Sequence, residues 1–309
     1  MTTSSRRRQL PFKLIVSGHY RGSYTYDGVI GTDVNRFPGD LLDGTLDRLN
    51  PSFGTMYYEF NGNVIKYNAG IFAIKQTLGH SYWQASYTVS RVTDYGQAGS
   101  RVNRDPGYAV PTQYNLSQYE APADWDATHR FALAGTYEIP GPRSNKFLKP
   151  VLGGWELGSV WILQSGNPIT IVNQADFASG GDYNADGVNF DFPNKPSASL
   201  PTSFSRAQYI NGIASASVFG TPTPGTEGNL KRATYRNPGF VNIDASLIKN
   251  NRFEFFHDNI NLQLRFEFFN VLNRVNLQGI DANLNDANFG KSTSTYDPRI
   301  IQLGARIVF

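Results

Sequence analysis

The stretch N-I-N-L-Q-L-R-F-E-F-F-N, residues 259–270, alternates without a break. Ile260, Leu262, Leu264, Phe266 and Phe268 fall on one side of an extended chain, and Asn261, Gln263, Arg265 and Glu267 on the other. A period of two with this contrast reads as a strand with one apolar and one wet side. The chain's end repeats the pattern, with Ile301, Leu303, Ala305, Ile307 and Phe309 alternating with Gln302, Gly304, Arg306 and Val308. Val241, Ile243, Ala245 and Leu247 alternate with Asn242, Asp244 and Ser246, and Trp83, Ala85, Tyr87 and Val89 oppose Tyr82, Gln84, Ser86, Thr88 and Ser90. Weaker strands are readable at 67–77, 128–139, 151–164 and 168–172.

Strands of soluble proteins usually run to about five or six residues, whereas about ten tilted residues cross a bilayer. The wet sides here carry full charges at Arg265, Glu267 and Arg306, which suits a hydrated lumen. Trp83, Tyr87, Trp155, Trp161 and Phe268 sit where interfacial aromatic girdles belong. Leu78-Gly79-His80 and Pro140-Gly141-Pro142 are short connections, whereas 95–127, 173–237 and 271–298 are long, polar and rich in Gly, Pro and Asn. Short turns at one end and long loops at the other are the habit of outer-membrane barrels. The expectation is an all-β fold, an antiparallel transmembrane β-barrel segment of roughly 8–12 long strands. The competing reading is a soluble antiparallel β-sandwich whose polar face meets water, a binding module for glycans being the functional version.

Composition narrows the field. The chain has 309 residues, 17% charged and 14% aromatic, with 21 Phe, 17 Tyr, 30 Gly and no Cys. Without Cys there are no disulfides, thiolate zinc sites or cysteine nucleophiles. A net charge of +3 is too small and too scattered to argue for nucleic acid. No apolar run approaches the roughly eighteen residues of a transmembrane helix. Arg6 to Arg8 are followed by Pro11 and Lys13 rather than by an apolar core, so no signal peptide is readable, and the basic run reads as an exposed edge beside a strand.

Six stretches together resemble the C-terminal barrel portion of TonB-dependent outer-membrane receptors, of the Oar-like kind with a carboxypeptidase-regulatory-like domain that is common in acidobacteria. They are S-Y-W-Q-A-S-Y-T-V-S-R-V-T-D (81–94), H-R-F-A-L-A-G-T-Y-E-I-P (129–140) and L-G-G-W-E-L-G-S-V-W-I-L-Q-S-G-N-P-I-T (152–170). The others are R-N-P-G-F-V-N-I-D-A-S-L-I-K-N (236–250), L-R-F-E-F-F-N-V-L-N-R-V-N (264–276) and F-G-K-S-T-S-T-Y-D-P-R-I-I-Q-L-G-A-R-I-V-F (289–309). The resemblance runs from about residue 50 to 309, and residues 1–49 carry less of it.

That resemblance implies energy-coupled nutrient uptake across the outer membrane, with no covalent chemistry. It implies lumen-facing roles for Asp244, Arg265, Glu267 and Arg306, against a plug or the hydrated channel. It makes Phe309 the aromatic terminus that the barrel-assembly machinery recognises. The partners implied are outer-membrane lipid, that machinery, a plug with the first barrel strands, TonB through the plug, and a small nutrient. A plug is not readable in 1–309, and room for on the order of a dozen strands falls short of the about 22 of such transporters. The chain is therefore expected to be a partial barrel that does not transport alone.

One motif carries metal chemistry. Asp182-Tyr183-Asn184-Ala185-Asp186-Gly187 fits the start of a calcium loop, with oxygens from Asp182, Asn184 and Asp186 and the carbonyl of Val188 converging on one cation. Position twelve is Pro193 instead of Glu, so Asp191 is the substitute ligand, and a polar Asx-turn loop is the competing reading. Calcium is the one cofactor the sequence admits. His19, His80, His129 and His257 lie far apart and read as turn and interface residues. Asp124 and Asp126 flank Trp125 in a loop and read as solvated acids rather than as a catalytic pair. Tyr108, Tyr114, Tyr119, Trp125, Phe177, Tyr183 and Phe190 read as loop-packing aromatics before ligand platforms.

Overall fold

Alternation at this density builds one sheet. The computed structural model describes residues 2–36, 45, 47–96, 116–117, 119–142, 148–173, 183, 191–226, 228–255 and 258–308. The long strands are β1 (Thr2–Leu10), β2 (Leu14–Asp33), β3 (Tyr57–Leu78), β4 (Ser81–Asp94), β6 (His129–Glu138), β7 (Trp155–Gln164), β10 (Phe240–Phe255), β11 (Asp258–Phe269) and β12 (Ile300–Val308). They join in the order β1-β2-β3-β4-β6-β7-β10-β11-β12, each antiparallel to the next, and the two-residue β5 (Ala121–Pro122) pairs with the end of β4. Two short strands, β8 (Pro168–Ile169) and β9 (Tyr235–Arg236), form a separate ladder. The expected range of long strands holds, and β1 and β2 come from residues 1–49, the stretch that carries less of the resemblance. Within the described residues β1 and β12 are unpaired edges.

A meander sends alternate connections to opposite ends. One end has the 11–13 turn, the two-residue Gly79-His80 turn, the β6–β7 link with helix α1 (Lys149–Leu152), and the β10–β11 turn. Gly79 takes φ +58, the left-handed conformation such a tight turn needs. The other end carries the longest connections, and 34–56 is one of them. The β2–β3 hairpin outgrows the rest. β3 has 22 residues, on the order of 70 Å of extended chain at about 3.3 Å each. Its upper half is offset by a bulge between Thr25 and Val29, where Asp27 has φ 61.

Register fixes which side chains share a face. Gly18, Phe72, Tyr87, Phe131, Leu163 and Val241 lie in one row across six strands. The adjacent row on the opposite face reads Ser17, Ala73, Ser86, Ala132, Ile162 and Asn242. Farther along, Leu247, Phe266 and Leu303 share the first face, and Ser246, Glu267 and Gln302 the second. The apolar face covers no core: Phe72 is 63% exposed and Leu303 70%.

The main buried apolar cluster lies in the long connections instead. Ile171, Tyr209, Ile213, Phe219, Leu230, Tyr235, Leu277, Ile280 and Phe289 pack together, all from the β7–β10 and β11–β12 connections. Phe219 meets Tyr235 edge-on at 6.3 Å and Phe289 at 5.6 Å. A short helix α2 (Arg206–Asn211) sets Tyr209 into this cluster, held by a capping box between Ser205 and Gln208. The Tyr209 hydroxyl donates to the Arg236 carbonyl at 2.9 Å. Segments that read as polar loops are therefore a folded cap, because their apolar residues are few, aperiodic and brought together only in three dimensions.

Candidate functional site

Three places have the chemistry to matter: the polar face of the sheet, the seam between sheet and cap, and the apolar face. On the polar face, Arg265, Glu267, Arg306 and Asp244 share one side with Ser246, Gln263 and Gln302. Arg265 Nε donates to Gln263 Oε1 at 2.6 Å, and Gln263 Nε2 donates to Asn250 Oδ1 at 3.0 Å, so neighbouring strands are tied by a polar ladder. Asp244 has a structural duty: its Oδ1 accepts from Asn242 Nδ2 at 2.9 Å and from the Asn270 backbone N–H at 2.8 Å. Asn270 and Asn273 sit at φ 51 and 49, a conformation asparagine tolerates, and they form the turn that leaves β11. Asn276 then pairs its side-chain amide with both backbone groups of Val241, as a strand would. The F-F-N-V-L-N-R-V-N motif is thus a device for ending a strand and starting the cap. Toward β1 the same face holds a groove of about 450 Å³ whose charged and polar lining includes Arg7, His19, Lys75, Gln84 and Arg130.

The seam is the part that sequence reasoning missed. Arg232 reaches back to Asp94 at the end of β4, donating to its carboxylate and, at 2.9 Å, to its carbonyl. Arg232 Nη1 also lies 3.5 Å from Asp124 Oδ1. One turn of chain away, Arg236 Nη2 meets Asp126 Oδ2 at 2.8 Å, while Asp126 Oδ1 accepts the Val92 N–H at 2.8 Å. Asp94 is 0% exposed and Asp126 1%. The acids flanking Trp125 are therefore structural anchors that fasten the cap to the sheet, not solvated loop residues. Burial pushes the Asp124 carboxyl above its ordinary range and Asp94 adds to this, against the pull of Arg232. Nearby, the hydrogen bond from Lys66 holds the Glu120 carboxyl below its usual range. The only local hint was the arginine pair in K-R-A-T-Y-R, whose partners lie more than a hundred residues earlier.

Asp182, Asn184, Asp186 and Val188 of the calcium motif lie outside the described residues, as do Phe309, His257, Tyr108, Tyr114, Phe177 and Phe190. Asp191 is buried, and its Oδ2 accepts the Tyr183 N–H at 2.9 Å. Among the described residues no group of three or more His, Asp or Glu is placed to hold a metal. His129 stacks on Tyr87 with ring centres 6.1 Å apart and shares a 2.8 Å hydrogen bond with its hydroxyl. Tyr119 packs beneath Ile30 in a second small cluster.

On the apolar face, Trp83, Tyr87, Trp155, Trp161 and Phe268 occupy the side expected of them. At the short-turn end Lys249 lies over the Trp155 ring at 5.7 Å, an aromatic and cation pairing suited to a membrane interface. One strand breaks the pattern. On β1 the apolar-face positions are Arg6, beside Gly18, and Arg8, beside Val16. An arginine on the lipid side of a barrel costs about 2–4 kcal/mol at the bilayer midplane.

Comparison with known protein families agrees with this geometry. A family model described as outer membrane beta barrel domain matches residues 5–302. Among solved structures, the outer membrane transporter YddB from Escherichia coli is similar over 99% of this chain and 31% of that one, at 9% identity and a TM-score of 0.49. The chain thus spans about a third of the length of that protein. No curated protein sequence matches it.

Proposed function

Because the chain belongs to the outer membrane β-barrel domain family, we propose that it is part of the wall of a TonB-dependent, Oar-like receptor that takes up a small nutrient across the outer membrane. The observation that carries this is the register. Row after row of the sheet presents Phe, Leu, Ile, Trp and Tyr on one face and Ser, Asn, Gln, Arg and Glu on the other. In water, an exposed apolar patch of this extent promotes association; in lipid it is the favoured surface. Sequence resemblance in the six stretches supports the finer assignment to TonB-dependent uptake.

In this reading Arg265, Glu267 and Arg306 line the hydrated interior and meet a plug, Asp244 shapes the exit of β11, and Phe309 guides assembly. The wall does no covalent chemistry, binds no nucleic acid and works with TonB only through the plug. Calcium on the oxygens of Asp182, Asn184, Asp186, Val188 and Asp191 belongs to the same proposal. Unpaired backbone at β1 and β12 cannot face lipid, so a closed pore needs further strands.

The test is reconstitution of the full chain. Folding that occurs only in detergent or lipid, with protease-resistant strands and no ion conductance, is the expected result. A monodisperse, folded chain in detergent-free buffer would overturn the membrane reading in favour of a soluble β-sandwich binder. Heat-modifiable migration together with conductance would overturn the claim that more strands are needed.

A further inference from the structure

The two edges of the sheet are built differently. β12 follows the wall pattern, with Ile301, Leu303, Ala305 and Ile307 on the apolar face and Gln302 and Arg306 on the other. From Thr2 to Gln9 β1 is polar on both: Thr2, Ser4, Arg6 and Arg8 occupy apolar-face positions and Thr3, Ser5, Arg7 and Gln9 the polar ones, and Leu10 alone closes the strand with an apolar side chain, opposite Leu14. Arg6 and Arg8 fall in the rows of Phe72, Tyr87 and Phe131 and of Ile74 and Leu133, near the middle of the apolar band. No carboxylate pairs with either arginine among the described residues.

We infer that the lipid-facing wall contributed by this chain is the eight strands from β2 to β12, and that β1 lies in the hydrated interior, covering the edge of β2 from the water side. This rests on the membrane-wall reading above. β1 then acts as a removable edge cover: it satisfies the backbone of β2 until a wall strand pairs there, and its Arg7 joins His19, Lys75 and Arg130 along the groove on the polar face.

The absence of cysteine makes the test clean. The full chain is prepared with single substitutions Arg6→Cys, Arg8→Cys, Phe72→Cys and Leu303→Cys and reconstituted in phosphatidylcholine vesicles. Each is then labelled with a charged maleimide, and a thiol-attached fluorophore is quenched by brominated lipid. Labelling at positions 6 and 8 at least tenfold faster than at 72 and 303, with no lipid quenching, is the expected result. Protection and quenching at 6 and 8 equal to those at 72 and 303 would overturn the inference while leaving the membrane wall intact. Rapid labelling at all four positions would overturn the wall itself, and the inference with it. The double variant Arg6→Leu/Arg8→Leu gives a second reading that does not depend on cysteine. Its unfolding midpoint in lipid should be unchanged, and a clear rise would mean that β1 faces lipid.

Discussion

The cap and the wall handle apolar residues in opposite ways. The cap turns Phe219, Tyr235 and Phe289 inward, against one another, as a small soluble domain does. The wall turns Phe72, Leu303 and Ile307 outward and leaves them bare. One chain thus contains two solvents' worth of design, and the boundary is the seam where Arg232 and Arg236 meet Asp94, Asp124 and Asp126. The hydrophobic effect organises the cap internally, while for the wall the bilayer supplies the apolar phase.

Substitutions can break that contrast. The largest effect is expected at the seam. Arg232→Ala strands the buried Asp94 carboxylate without its partner, and losing one side of a buried pair costs about 3–5 kcal/mol. The cap should then exchange its amide hydrogens rapidly while the strands stay protected. Phe219→Ala empties the centre of the cap cluster and should cost about 3 kcal/mol. Limited proteolysis would show it as new cleavage within 191–226 at unchanged protection of β10 to β12.

On the wall the solvent is reversed, so the sensitive change is a charge. Leu303→Arg should cost about 2–4 kcal/mol in lipid, whereas Gln302→Arg, one residue away on the polar face, should be close to neutral. Equal losses for the two, read from urea unfolding in vesicles, would refute the assignment of faces. The smallest effect is one of pH. The folded chain holds the Asp124 proton to higher pH than the unfolded chain does, so this group's contribution to stability falls as pH rises from the ordinary Asp value of about 3.9 through the raised folded value. Above that it is flat. Asp124→Asn should remove this part of the slope, checked by denaturation midpoints across a pH series.

Legibility followed the range of the interactions. The strands β4, β6, β7, β10, β11 and β12 were readable because each carries its alternation within about ten residues. The turn at Gly79-His80 was likewise a local matter. β1 escaped because it is polar on both faces from Thr2 to Gln9 and has no period to detect. The Asp94–Arg232 contact spans 138 residues, and nothing near either residue announces the other. Asp244 was read as a lumen charge from its place in a strand, and only its contact with the Asn270 N–H reveals its use in the turn.

The sequence alone determined the class of fold, the faces of its strands and the ends at which its loops gather, because side-chain alternation is a property of neighbouring residues. Tertiary structure decided that the loops form a cored cap, that Arg232 and Arg236 fasten it to the sheet, and which strands form the two edges. Those facts depend on which distant segments meet, and that is settled by burial and pairing across the whole chain.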